Sequence, residues 1–398
     1  MTAINGLHQI RERVLKWLES MRIDGSNVRY KFSETSGDSL FTSCFALFIL
    51  DLFRETDNLS EKHRQEWAEH IQGFQREEDG LFYPDPIYHP DKERAIFQAT
   101  CFCLSALCIL GETPKHRLSV VDRWRTKENL EEYLIGRGCH LGHSGSGNKA
   151  MFQAILLTHA YEITGDEDLR DAIEIWFEFH DRHQNEYGFW GQGERGRLYA
   201  GMQNAFHQYM IYEYWGRNYP NIEKVMDTVL KLQDDDGYFA PVPGGGACKD
   251  YDALHLLLNS GYVKLSDNII QILEKAERAI KRCWNEDGGF CENRLRPIGV
   301  KQLPKIISFI LHGENLQVKK LRAHNVAVEV FKRRAMKSRR WVPENQSWNE
   351  STLWDTWFRS LSLAEVSNTL HGTSDSMFRF HNHIGIGFNK LYSNIHSY

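Results

Sequence analysis

At 398 residues, 41% hydrophobic and 25% charged, the chain can bury a large core as one big domain or two ordinary ones, and its composition excludes disorder. A formal net charge of -5 and a pI near 6.4 exclude the basic footprint of a nucleic-acid binder, and the cluster KRRAMKSRR (Lys332 to Arg340) is short enough to be a solvated helix end. The 8 cysteines are scattered with no CxxC pair, which favours reduced, buried thiols over a cysteine-built zinc site, and the 12% of aromatic residues need a core or a pocket.

The chain starts with MTAINGLHQIRERVLKWLES, a charged helical pattern without a secretory apolar region. No window approaches the roughly 18 uncharged apolar residues of a membrane span, so the expectation is a cytoplasmic protein without a transmembrane segment. IDGS at Gly25 then punctuates, and DSLFTSCFALFILDLF predicts an apolar helix. An amphipathic helix, EKHRQEWAEHIQGFQ, leads to REEDGLF at Gly80 and the apolar RAIFQATCFCLSALCIL. After GRGCHLGHSGSG come NKAMFQAILLTHAYEI, the amphipathic EDLRDAIEIWFEFHDRH, NEYGFW at Gly188 and YAGMQNAFHQYMIYEYW. DDDGYF at Gly237 precedes KDYDALHLLL, NEDGGF at Gly289 precedes GVKQLPKIISFIL, and ENQSWNES precedes STLWDTWFRSLSLAEV.

The same phrase therefore recurs every 50 to 60 residues or so, one helical hairpin per unit. Each outer helix carries apolar residues at i, i+3, i+4 and i+7 with charges between them, and each of seven candidate inner helices opens polar and turns apolar. Sustained β alternation is almost absent, so the chain is all-α. Two such helix sets bury every face if the inner set closes into a ring inside the outer one, an α/α toroid of six or seven hairpins whose polar first turns line a central cavity. Residues 1–372 make this single toroid domain and residues 373–398 a C-terminal extension packed on it.

The turn D-G-x-F followed by an inner helix with Asp-x-x-x-Leu, as in DDDGYF and DYDALHLL, resembles the repeat of the terpene cyclase and protein prenyltransferase superfamily. That resemblance implies a barrel whose cavity opens where the turns gather. In its class II cyclases the middle aspartate of a D-x-D-D motif protonates an isoprenoid. Here Asp250 and Asp252 match the first and middle aspartates, while Ala253 replaces the last. Asp287 with Cys291 is a loose echo of the zinc ligands of the prenyltransferases, and Cys139-His140 resembles part of the zinc site of lanthionine-cyclase-like toroids.

Asp250, Asp252 and His255 form the candidate catalytic set. Two carboxylates in an apolar cavity cannot both ionise cheaply, so one is raised in pKa and can protonate a double bond or a glycosidic oxygen, with His255 orienting or recharging it. The structural alternative makes Asp250 a helix cap and Asp252 a turn-side hydrogen-bonding residue. Gly244, Gly245 and Gly246 either let the loop approach a ligand or simply connect. Candidate substrate-binding residues are Gln203, Asn204 and His207, with the aromatics Trp190, Tyr251, Trp354 and Trp357 and the cation Lys301, which needs a cavity position. Lys149, Lys305, Arg195 and Arg197 are further cations of that kind. No metal or cofactor is expected: Cys248, Asp250, Asp252 and His255 supply ligand types for a divalent ion, but helical geometry keeps all four from converging unless Cys248 folds back from a loop. His381 and His383 diverge on a helix and converge only on an extended segment.

Three functions fit these features. The first is acid-initiated cyclisation of an isoprenoid, as in a class II terpene cyclase. The second is a carbohydrate-active α/α barrel, a glycosidase, lyase or epimerase acting on a glycan. The third is a non-catalytic binding module. The partner is a small-molecule isoprenoid or glycan, not nucleic acid.

Overall fold

The computed structural model describes residues 3–193, 198–259, 266–313, 315–332, 336–372 and 377–388. Its helices are α1 (Ala3–Ser20), α2 (Leu40–Leu52), α3 (Glu61–Gln72), α4 (Lys92–Leu110), α5 (Lys127–Gly136), α6 (Ser146–Thr164) and α7 (Glu167–Arg182), then α8 (Leu198–Tyr214), α9 (Ile222–Leu230), α10 (Ala247–Asn259), α11 (Asp267–Arg282), α12 (Leu303–Leu311), α13 (Leu316–Lys332) and α14 (Leu353–His371). Two-residue strands β1 (Met336–Lys337) and β2 (Gln346–Ser347) pair antiparallel and are the extent of regular sheet among the described residues. The fold is all-α, of the α/α toroid class.

The alternation read from the sequence has clear physical causes. α7 starts where the Asp166 side chain accepts the Asp168 amide, and it buries Leu169, Ala172, Ile173, Trp176 and Phe177, a single apolar face. α11 is capped by Ser266 and buries Ile269, Leu273, Ala276 and Ile280 in the same way. α14 has no polar face: every residue from Leu353 to Asn368 is buried, between a Thr352 cap and Gly372 in the left-handed region. Such helices belong in an interior.

Three of the recurring turns share one device, and at a fourth Trp284 Nε1 donates to the Gly288 carbonyl instead. Gln75, Gln184 and Gln233 each donate from Nε2 to the carbonyl of the turn glycine (Gly80, Gly188, Gly237) and to a carbonyl farther along the chain (His116, Pro220, Ile272). Gly237 has φ +97°, and a Cβ there would meet the Lys275 carbonyl oxygen at 2.4 Å; at Gly80 the distance to the Arg117 carbonyl oxygen would be 2.1 Å. The acidic residues serve as acceptors within the turn: Asp79 for the Leu81 amide, Asp234 for Tyr238 and Asp287 for Gly289.

The chain divides into two compact units. The first comprises residues 1–58, 227–258 and 262–379, in which α14 packs on α1, α2 and α11. The second comprises residues 59–226, 259–261 and 380–398, in which α6 packs on α4, α7 and α8. Against the expectation of no membrane-length apolar stretch, α4 is long and apolar enough to cross a membrane, with an 18-residue window of mean hydropathy 1.4, and 72% of that window is buried inside the protein.

Two expectations change. GVKQLPKIISFIL is not an inner helix: α12 buries Ile306 and Phe309, while Leu303, Ile307 and Leu311 are exposed, and it forms a surface hairpin with α13. KRRAMKSRR is not a solvated helix end throughout: α13 ends at Lys332, residues 333–335 lie outside the described residues, and Lys337 and Arg339 turn inward on and after β1, to partners described below.

Candidate active site

α10 carries Asp250, Asp252 and His255, all within 4% of full burial. Asp250 is saturated with donors. Its Oδ1 accepts the amides of Phe239 (2.7 Å) and Ala240 (3.1 Å), and its Oδ2 accepts the Gly246 amide (3.1 Å) and the Arg359 guanidinium (2.7 Å) from α14. The bond to Phe239 has counterparts in other repeats, where Thr100 accepts the Phe82 amide and Thr356 the Phe290 amide. Asp250 thus stands where two sister hairpins use threonine. It holds the residue after the D-G turn onto the inner helix.

The glycine loop completes this clamp. Gly244 and Gly245 have φ +84° and +80°; a Cβ on Gly245 would meet Asp250 Oδ2 at 2.5 Å, and one on Gly244 would meet Asn293 Oδ1 at 2.3 Å. Asn293 in turn donates to the carbonyls of Pro243 and Gly245. The close approach that the glycines allow is to the protein's own polar side chains.

Asp252 differs in every respect. Among the described residues its carboxyl makes no hydrogen bond and no ion pair, although it is 4% exposed. Burial pushes it well above the ordinary carboxylate range, with Asp250 adding to the rise while His255 and Lys249 oppose it. Cys248, one turn earlier, is pushed up to about 12 by burial and by Asp252. Asp234 also rises, to about 7, through burial, but it is committed to the Tyr238 amide.

His255, three residues after Asp252 and on the same helical face, has its Nδ1 3.2 Å from Glu365 Oε1 and 3.3 Å from the Tyr251 hydroxyl. Glu365 is fully buried on α14. A second buried charge group lies in this unit: Lys337 and Arg339 both pair with Asp355, Arg339 pairs with Glu292 at 2.6 Å, and the Glu292 carbonyl accepts Arg359. Arg359, Glu365, Lys337 and Arg339 escaped the sequence reading. The signal for Arg359 and Glu365 was an arginine and a glutamate inside a buried helix, where an unpaired charge is costly; Lys337 and Arg339 had none.

The aromatic candidates divide between the units. In the first, Tyr251 packs edge-on against Phe358 at 5.3 Å, and Trp354 and Trp357 pack on Phe45, Phe48 and Phe358, with Trp341 on Trp354. In the second, Trp190 stacks on Tyr212 at 5.1 Å and lies 4.5 Å from Tyr209. Asn204 there accepts the Gly147 amide and donates to the carbonyls of Gly142 and His143, which pins the start of α6. The Gln203 carbonyl receives His207 Nδ1, and burial lowers His207 to about 4. Lys301 lies exposed on a short 3-10 turn, as Lys305 does on α12, so neither has the cavity position that its anion-binding role needs. Lys149 pairs with Asp91, and Arg195 and Arg197 lie outside the described residues.

Among the described residues no three His, Cys, Asp or Glu side chains converge as a metal site. Asp287 is held by the Gly289 amide and the Ser351 hydroxyl, and Cys291 and Cys283 are free thiols joined by a hydrogen bond. Cys139 donates to the Ser146 carbonyl, and the rings of His381 and His383 lie 4.7 Å apart.

Compared with known proteins, the chain matches the family model of the prenyltransferase alpha-alpha toroid domain over residues 10–174 and 148–296. It is similar to a variant of the type II terpene cyclase MstE from Scytonema, in complex with geranylgeranyl dihydroxybenzoate, at 12% identity and a TM-score of 0.48, covering 92% of this chain and 99% of that one. It is similar also to a glycosyl hydrolase family 88 protein from Bacteroides vulgatus (13%, TM-score 0.45, 92% and 98%) and to an unsaturated glucuronyl hydrolase from Bacillus sp. GL1 (14%, TM-score 0.32, 93% and 96%). No curated protein matches.

Proposed function

Because the chain belongs to the prenyltransferase α/α toroid domain family, we propose that it is an enzyme that starts the cyclisation of an isoprenoid by proton transfer from Asp252. The observation that carries this is the contrast between two carboxyls two residues apart. Asp250 is held by three amides and Arg359, whereas Asp252 is buried, raised in pKa and without a hydrogen-bonding partner among the described residues. Neighbouring carboxyls whose surroundings push them apart are how a protein keeps one acid neutral and ready to donate.

In this mechanism the Asp252 hydroxyl gives its proton to a substrate double bond, leaving a carboxylate and a carbocation. The π faces of the aromatic candidates in the same unit, Tyr251, Trp354 and Trp357, stabilise such cations by about 0.5 to 2 kcal/mol each where they face them. After ring closure the cation loses a proton from an adjacent carbon to solvent, and a proton from solvent passed through His255, backed by Glu365 and Tyr251, recharges Asp252. Asp250 supports the geometry and makes no proton transfer. The toroid of this reading is residues 1–372, with 373–398 as its extension.

The test is product analysis by mass spectrometry after incubation with polyprenyl alcohols, diphosphates and prenylated aromatics. Asp252→Asn is expected to lower turnover by at least about 10²-fold. Activity of the parent enzyme is expected to fall as pH rises through the raised pKa of Asp252, because only the protonated form donates. Full activity in Asp252→Asn ends this assignment, and cleavage of oligosaccharides that depends on Asp252 moves the chemistry to the glycan reading.

A further inference from the structure

Between positions 298 and 340 the chain holds eleven Lys and Arg against two Glu; Lys337 and Arg339 are paired and Arg322 is buried, while Lys301, Lys305, Lys320 and Arg340 are exposed. Eight of the twelve large apolar side chains exposed among the described residues fall between Val300 and Met336. Both features belong to the α12–α13 hairpin and its edges.

The hairpin is fixed to the first unit by polar contacts. Ser308 donates to Asp235 at 2.9 Å and His312 pairs with the same carboxylate. The Arg322 guanidinium binds the carbonyls of Phe309, Leu232 and Gln233 at 3.0 to 3.2 Å. Ile306, Phe309 and Val326 form the hairpin's own small core. With its inner side so occupied, α12 still presents Leu303, Ile307 and Leu311, a stripe at i, i+4 and i+8, to solvent. On α13, Leu316, Lys320 and Phe331 share one exposed face, with Phe331 at 85% exposure. Val300 just before α12 is 89% exposed, and Lys301, Lys305 and Arg340 are exposed around the same hairpin.

We infer that this hairpin docks the protein on an anionic lipid bilayer, with the Leu303, Ile307, Leu311 stripe and Phe331 entering the acyl boundary and the surrounding lysines on the headgroups. Apolar side chains standing out among basic ones on a rigid helical surface are what an interfacial element needs, and the exposed Lys301, Lys305, Lys320 and Arg340 in an otherwise acidic chain select a negative surface. Each basic residue near such a surface strengthens binding by about fivefold. The inference goes beyond the proposed chemistry and does not depend on Asp252.

Flotation of the full chain with vesicles tests it. Phosphatidylcholine vesicles containing about 30% phosphatidylglycerol are expected to carry the protein, pure phosphatidylcholine vesicles at least about 10-fold less, and high salt to weaken the anionic binding. The exposed-site variants L303S/I307S/L311S and K301E/K305E/K320E are each expected to lose at least about 10-fold in vesicle affinity while keeping the parent circular dichroism spectrum. Asp252→Asn is expected to float like the parent, which separates failure here from failure of the catalytic assignment. The inference is overturned if the parent stays with the soluble fraction at every anionic content, or binds both vesicle types equally. It is overturned too if sedimentation shows a dimer that L303S/I307S/L311S converts to monomer, since a second copy then covers the stripe.

Discussion

The two units solve the problem of buried polarity in opposite ways. The first buries charges and matches them: Arg359 with Asp250, and Lys337 and Arg339 with Asp355 and Glu292. The second buries imidazoles and keeps them neutral. Burial lowers His159 to about 4, His180 to about 3 and His207 to about 4, and His180 and His207 each bind a backbone carbonyl one turn back through Nδ1. A matched ion pair resists pH change but fails when one member is removed. A neutral imidazole tolerates its neighbours and fails in acid. Against the first pattern Asp252 stands out: Asp234 is also buried without an ion pair but accepts the Tyr238 amide, whereas Asp252 has neither an ion pair nor a hydrogen bond among the described residues.

The largest expected effect breaks a pair. Arg359→Met leaves Asp250 buried without its cation and is expected to lower stability by about 3 to 5 kcal/mol, read from urea denaturation. Asp250→Thr combined with Arg359→Met is expected to recover much of that loss, because threonine performs the same backbone duty at Thr100 and Thr356. A double variant as unstable as the sum of the singles would show that Asp250 does more than hold the turn.

Acid comes next and falls on the second unit. A histidine with a pKa of about 6.5 when unfolded and about 4 or lower when folded resists protonation only in the native state. Its contribution is complete above about pH 6.5 and is lost as pH falls from there toward the folded value. The loss is on the order of 2 kcal/mol per histidine by pH 4.5. Amides of α7 and α8 are expected to lose hydrogen-exchange protection in this window before those of α14, and His180→Phe to flatten part of the slope. Equal acid sensitivity in the two units would remove the contrast.

Smaller effects sharpen it. Asn204→Ala deprives the Gly147 amide and two carbonyls of their partner and is expected to cost about 1 to 3 kcal/mol in thermal or chemical denaturation. Asp252→Asn is expected to stabilise the protein at pH 8, read from the same denaturation curves. The sign follows from a folded pKa raised above the unfolded value near 4: the native state prefers the protonated carboxyl, so the parent loses stability as pH rises, and the variant's advantage shrinks in acid. A destabilised Asp252→Asn at pH 8 would mean that the carboxyl is held by a partner after all.

Local pattern was enough for the architecture. Helical periodicity marked the amphipathic α3, α7 and α11, and the D-G turns could be found because only glycine tolerates φ near +75° to +97° beside a neighbouring carbonyl. The same logic went wrong at α12, where apolar residues at helical spacing look alike whether they face a core or solvent. It went wrong at Lys337 and Arg339 because a run of basic residues carries no mark of the distant carboxylates that neutralise it.

By itself, then, the sequence determined an all-α repeat and put Asp250, Asp252 and His255 on one inner helix, since spacing and turn chemistry are local properties. Which aspartate is held by donors and which is buried without them was decided only by tertiary structure. Arg359 lies 109 residues from Asp250 and Glu365 lies 110 from His255, and burial, which sets the energy of each charge, exists only once those helices pack.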